Sequence, residues 1–238
     1  MRQHKPPKAS SKPPTSPKPA KKTKGPVKGD KLSSTLWLKR QHNDPYVAEA
    51  RRQGYRSRAA FKLQEMDDRF RLLRPGMVIV DLGAAPGGWT QIAVERVGAK
   101  SLIVAVDRLP MEAVAGAQVL MMDFMESDAP DQIIAALNGK KANLVLSDMA
   151  PSFTGHAATD HLRSMGLVEA AYDFACQILA PQGSFLAKVV QGGSEKDLLA
   201  ALKRDFAKVK HVKPPASRAE SAELYVLATE FRGTEQKS

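Results

Sequence analysis

One cysteine, Cys176, stands in a chain of 238 residues. That excludes an internal disulfide and a cysteine-rich metal site. It lies in AAYDFACQIL, on the apolar face of an expected helix, and reads as an inert core residue. The five histidines, His4, His42, His156, His161 and His211, have no metal-ligand spacing with acids or with the cysteine, so no metal is expected. No apolar run approaches the ~20 residues of a membrane span. No apolar signal-peptide core is present either, and a cytoplasmic protein without a membrane partner is expected. Ser147 and Ser152 lack a nucleophile-elbow context. There is no G-x-G-x-x-G and no internal repeat.

What is present is a globular body with a basic tail. Hydrophobic residues make up 43% of the chain, enough for a real core. The formal net charge is +11. Residues 1–30 hold nine Lys/Arg, one Asp and seven of the 16 prolines, so +8 of that charge sits in the tail. With almost no large apolar side chains, this stretch cannot offset chain entropy and is expected to be disordered. The expected boundaries are a tail at 1–32 and one domain at 33–238, with helices over 35–74 and a core over 75–232. The charge balance suggests a polyanionic partner, and a monomer is expected.

In the basic segment 35–74, Asn43-Asp44-Pro45 is a helix start, and Ser57 should open a second helix through AAFKLQEMDDRF. Beyond it, apolar strands alternate with helices. MVIVDLG, SLIVAVD, AQVLMMD, NLVLSD, SFLAKVV and ELYVLATEF read as strands, with a short one before HVKPP. Continuous apolar runs separated by helices predict an α/β fold, with a parallel sheet covered on both faces.

Four strands end in an acid: Asp81, Asp107, Asp123 and Asp148. Ligands of open α/β sheets bind beyond the carboxyl ends of the strands, so four acids on one rim predict a polar site. DLGAAPGGWTQ follows the first strand. Its glycines let the chain turn tightly, and the helix near Trp89 points free N–H groups at a ligand. Asp107 lies 24 residues after Gly83, near the ~20-residue spacing of a carboxylate that accepts from ribose hydroxyls. Trp89 either flanks that ligand or packs as an ordinary core aromatic. Lys188 is the other anomaly, a cation inside the apolar run SFLAKVV. By itself it reads as a lysine that snorkels to water.

Taken together, SRAAFKL, DLGAAPGGW and SDMAP, in this order along the chain, resemble the FtsJ/RrmJ family of RNA ribose 2′-O-methyltransferases. The resemblance runs from about residue 33 to residue 232. It implies a Rossmann-like, seven-stranded, mostly parallel sheet with an antiparallel last strand, and S-adenosylmethionine as cofactor. Gly87, Trp89, Asp107, Asp123 and Asp148 would contact that cofactor. Lys62, Asp148, Lys188 and Glu223 would surround the target hydroxyl, with Lys188 as the base. The implied substrate is a uridine in the A-loop of 23S ribosomal RNA in the large ribosomal subunit. The run SDMAPSFTG departs from the family pattern at Ser152, Phe153 and Thr154, in the loop beside the site.

The chemistry suits these residue types. A ribose hydroxyl is a poor acid, and a base works best with a pKa near ambient pH. Burial and a second cation nearby are the conditions that favour a neutral amine. An apolar strand around Lys188, with Lys62 in the same site, would provide both. The basic helices and Lys203, Arg204, Lys208, Lys210, Lys213 and Arg218 are the expected phosphate contacts. The competing readings are the same reaction on transfer RNA or another RNA, a nicotinamide-dependent oxidoreductase, and a non-enzymatic RNA-binding assembly factor.

Overall fold

Asp44 caps the first helix as the Asn-Asp-Pro signal predicts: its side chain accepts from Tyr46 N at 3.1 Å, and Pro45 fills the first turn. The computed structural model describes residues 44–152, 154–190, 196–218 and 221–233. The tail and residues 35–43 of the expected helical segment 35–74 lie outside the described residues.

Two helices, α1 (Pro45–Gln53) and α2 (Ala59–Phe70), precede the sheet. The second starts two residues after Ser57, whose hydroxyl is buried and makes no hydrogen bond. From there strands and helices alternate: β1 (Val78–Leu82), α3 (Gly88–Val97), β2 (Leu102–Asp107), β3 (Gln118–Met121), α4 (Ala129–Ala136), β4 (Ala142–Ser147), α5 (Ala157–Ile178), β5 (Leu179–Val190), α6 (Lys196–Asp205), β6 (Phe206–Val212) and β7 (Glu223–Phe231).

The sheet has seven strands in the order β3-β2-β1-β4-β5-β7-β6. β1 to β5 are parallel, while β7 runs antiparallel to both β5 and β6. The chain reverses direction across the sheet between β1 and β4, which opens a crevice at their carboxyl ends. Every residue of β1 is buried, as the continuous apolar run requires of a strand covered on both faces. Two cores result. Val80, Val104, Val145 and Phe185 pack against α5 on one face, and Ile79, Ile103, Leu144 and Leu186 face Leu63, Met66 and Ile92 on the other.

Two strands are longer than the sequence suggests. β5 starts at Leu179 rather than Ser184, across a register shift beside Ala142/Leu144. β6 spans seven residues because its buried ends, Phe206 and Val212, anchor a middle that is mostly exposed. Among the described residues no helix is long and apolar enough to cross a membrane. Cys176 is half-buried, and burial pushes its thiol up to about 11, as expected of an unreactive position.

Candidate active site

A cleft of about 640 Å³ opens at the carboxyl ends of β1, β2 and β4. Gly83, Asp107, Asp123 and Asp148 line it, with apolar walls from Val106, Leu109, Met122, Phe124 and Met149. Asp107 organises the entrance: Oδ2 accepts from Ala85 N at 2.9 Å, and Oδ1 from Leu109 N at 2.8 Å. The glycine-rich turn is thereby tied to the end of β2. Asp123 Oδ1 accepts from Met125 N at 3.0 Å. Gly83 has φ +77°, and a Cβ there would sit 2.8 Å from the backbone of Met149, so only glycine lets these two loops meet.

Asp148 carries the cleft to a second group of side chains. Lys188, in β5, places Nζ 3.1 Å from Asp148 Oδ1 and donates to Asp148 O at 2.7 Å. Lys62, in α2, places Nζ 3.5 Å from Glu223 Oε2. Tyr225 joins the two pairs: its hydroxyl accepts from Lys62 Nζ at 3.1 Å and donates to Asp148 Oδ1 at 2.8 Å. Both lysines are largely shielded, with side-chain exposures of 13% for Lys62 and 10% for Lys188. A buried cation is stable only where such partners surround it. A small cavity bordered by Lys188 and Glu223 shares Met149, Ala150, Pro151 and Leu167 with the cleft, so the two sites adjoin.

The four residues Lys62, Asp148, Lys188 and Glu223 thus come together, and Asp107, Asp123 and Asp148 share the cleft. Gly87 and Trp89 are not among its walls. Of the two readings of the Trp89 side chain, the structure has the packed one: the residue is 3% exposed, its indole donates to Ala59 O at 2.8 Å and its ring packs on that of Tyr225 at 5.5 Å. Gly87 N donates to Ala84 O at 2.7 Å, and Gly88 and Trp89 form the first turn of α3, where main-chain N–H groups have no partner within the helix. Asp81 also leaves the expected rim. It is fully buried and accepts from Thr90 Oγ1 at 2.7 Å, and burial pushes its carboxyl up to about 7.

Several expected phosphate contacts have carboxylate partners instead. Arg204 pairs with Asp205, Lys208 with Glu230, and Arg218 with Asp44, which also binds Arg58. In the loop after β4, Ser152 Oγ accepts from Arg108 Nη2 at 2.9 Å, and Thr154 N and Oγ1 each donate to Asp160 Oδ1 at 2.7 Å. Those hydrogen bonds hold the Asp160 carboxyl below its usual range. Phe153 lies outside the described residues.

Sequence reasoning missed Tyr225. It reads as one more apolar strand residue in ELYVLATEF. Its available signal was being two positions after Glu223, on the same face of the strand. Burial, with Asp148 next to it, keeps its phenol well above the usual range. The group is a neutral hydroxyl that accepts from one side and donates to the other.

The family described as FtsJ-like methyltransferase matches residues 55–231, a span that holds the whole site. The chain belongs to that family. Among its relatives, the ribosomal RNA large subunit methyltransferase E of Xanthobacter autotrophicus is 61% identical over 209 residues, 87% of this chain and 82% of the relative. The protein of the same name from Gluconobacter oxydans is 62% identical over 206 residues, 87% of this chain and 76% of the relative. The crystal structure of a ribosomal RNA methyltransferase from Plasmodium falciparum superimposes with a TM-score of 0.67 at 28% identity, covering 75% of this chain and 100% of that one. The family expected from DLGAAPGGW, SDMAP and SRAAFKL is therefore the right one.

Proposed function

We propose that this methyltransferase modifies a ribose 2′-hydroxyl of 23S ribosomal RNA, at a uridine in the A-loop of the large subunit, with S-adenosylmethionine as donor. It would act as a monomer in the cytoplasm. The relatives' names support the substrate. The observation that carries the chemistry is Asp148, which lines the cleft and holds Lys188 Nζ at 3.1 Å.

The cleft's donor set fits this cofactor. Carboxylates at Asp107, Asp123 and Asp148 suit a ligand with a ribose diol, an amino group and a positive sulfur, and the apolar walls suit an adenine ring. When bound, S-adenosylmethionine supplies an electrophilic methyl group on its sulfonium. Asp107 would be the ribose partner, Asp123 would accept from the adenine amino group, and the N–H groups of residues 88 and 89 would meet the ligand's polar end.

Lys188 Nζ directs two of its positions at Asp148 O and Oδ1, leaving one for the substrate hydroxyl. Lys188 takes the 2′-hydroxyl proton there as the oxygen is alkylated. Asp148 orients the amine and stabilises the ammonium that forms. Lys62, held by Glu223 and Tyr225, lends positive charge to the oxygen as it loses its proton. Shielding of both lysines strengthens these interactions relative to water.

The test is transfer of labelled methyl to undermethylated large subunits, beside naked ribosomal RNA and transfer RNA, with wild type and Lys188→Ala. Label on the large subunit that disappears in the variant supports substrate and base together. Label on transfer RNA alone overturns the substrate, and label on no RNA despite bound cofactor overturns the enzyme reading in favour of an RNA-binding factor.

A further inference from the structure

A groove of about 720 Å³, larger than the cofactor cleft, lies at the opposite rim of the sheet, where β1, β4 and β5 begin. Arg71 and Arg74, between α2 and β1, line it together with Lys208 and Lys210 of the edge strand β6. All four are exposed. The two lysines leave the same face of β6, roughly 7 Å apart along the strand. The one carboxylate among the walls, Glu230, pairs with Lys208.

Arg71, Arg74 and Lys210 have no carboxylate within salt-bridge distance among the described residues. Elsewhere on the surface some cations are matched, as Arg52 is with Glu49, Arg96 with Asp67 and Asp68, and Arg204 with Asp205, and others such as Arg51, Lys100 and Lys140 stand singly; the groove gathers three unmatched cations on one concave surface. Lysines on an edge strand discourage pairing with other chains. That role does not account for two arginines from a different element on the same groove. Two of the walls, Gln182 and Glu230, also hold left-handed φ values of 68° and 63° without being glycine. Backbone of this kind concentrates at ligand sites. Clustered, unmatched cations fit a polyanion that supplies the missing charge and releases its counterions.

We propose that this groove binds the phosphate backbone of a second segment of ribosomal RNA, away from the methylated nucleotide. The inference rests on the RNA-substrate reading above. Gln182, in the groove, and Lys188 lie six residues apart on β5, so the bound phosphates would be roughly 20 Å from the reacting amine. Such binding helps to select the large subunit without touching the reacting atoms.

The experiment compares methyl transfer to undermethylated large subunits by wild type, by Arg71→Glu/Arg74→Glu, and by Lys100→Glu/Lys140→Glu. The last removes the same charge from exposed residues outside the groove. Cofactor affinity and thermal unfolding are measured on all three. The groove variant should raise KM for subunits on the order of tenfold, with kcat and cofactor affinity within twofold. The slope of log KM against log salt should fall by about one for each phosphate no longer neutralised. Active wild type with an unchanged KM in the groove variant, or an equal rise in the control variant, overturns the groove. If the groove variant is unfolded, Lys210→Glu with the same readouts decides. Wild type that labels no RNA overturns the substrate reading itself.

Discussion

The hydroxyl of Tyr225 stands between Lys62 and Asp148, accepting from the lysine at 3.1 Å and donating to the carboxylate at 2.8 Å. The four charged residues of the site are one network because of it. Without that hydroxyl, Lys62–Glu223 and Lys188–Asp148 are separate ion pairs. Tyr225→Phe should leave the fold and cofactor affinity intact and lower kcat on the order of tenfold, the scale of a lost hydrogen bond to charged groups. Single-turnover transfer to large subunits measures this; an unchanged rate would make the phenol a packing residue only.

Lys188→Ala removes the proposed proton acceptor without opening the cleft proposed for the cofactor, whose walls do not include it. The rate of transfer should fall by roughly 10²–10⁴, the usual range for a general base. Binding of S-adenosylmethionine, followed by calorimetry, should change little. A loss of less than tenfold in rate would sink the assignment of Lys188 as the base.

Asp107 ties the glycine-rich turn to β2 and lines the cleft. Asp107→Ala should weaken cofactor binding by at least tenfold, because two main-chain donors and the ligand lose one acceptor. At saturating cofactor, kcat should largely recover. Titration of cofactor with wild type and variant separates the two effects, and a kcat defect that persists at saturation would place Asp107 in the chemistry.

Asp81 predicts how stability varies with pH. Burial pushes its carboxyl up to about 7 in the folded chain, against about 4 for an unfolded aspartate. The folded state therefore keeps a proton that the unfolded state releases. This contribution is complete below about pH 4, declines as pH rises toward 7 and is lost above it. The loss is about 4 kcal/mol as an upper figure. The difference in Tm between pH 5 and pH 8 should be smaller in Asp81→Asn than in wild type. Identical pH profiles would show that Asp81 does not set the trend.

The sequence by itself determined the class of fold and most of the site's inventory. MVIV before Asp81 and LVL before Ser147-Asp148 are continuous apolar runs, which a sheet covered on both faces buries. Strand-end acids at Asp107, Asp123 and Asp148 follow from that, since the carboxyl ends of parallel strands share one rim. Lys188 was legible as an anomaly, and its partners through the family's motifs.

Only the tertiary structure decided which way each side chain turns and what stands opposite it. Lys188 lies directly across from Tyr225 in the antiparallel β5–β7 pair, and a shift of one residue would turn every side chain of β7 to the other face. Trp89 and Asp81 occupy positions that local sequence assigns equally well to the cleft or to the core, and packing against α2 and Thr90 took both inward. Arg218 meets Asp44 from 174 residues away. The register of long-range pairs, which no local pattern encodes, separates charges that can contact RNA from charges that hold the fold together.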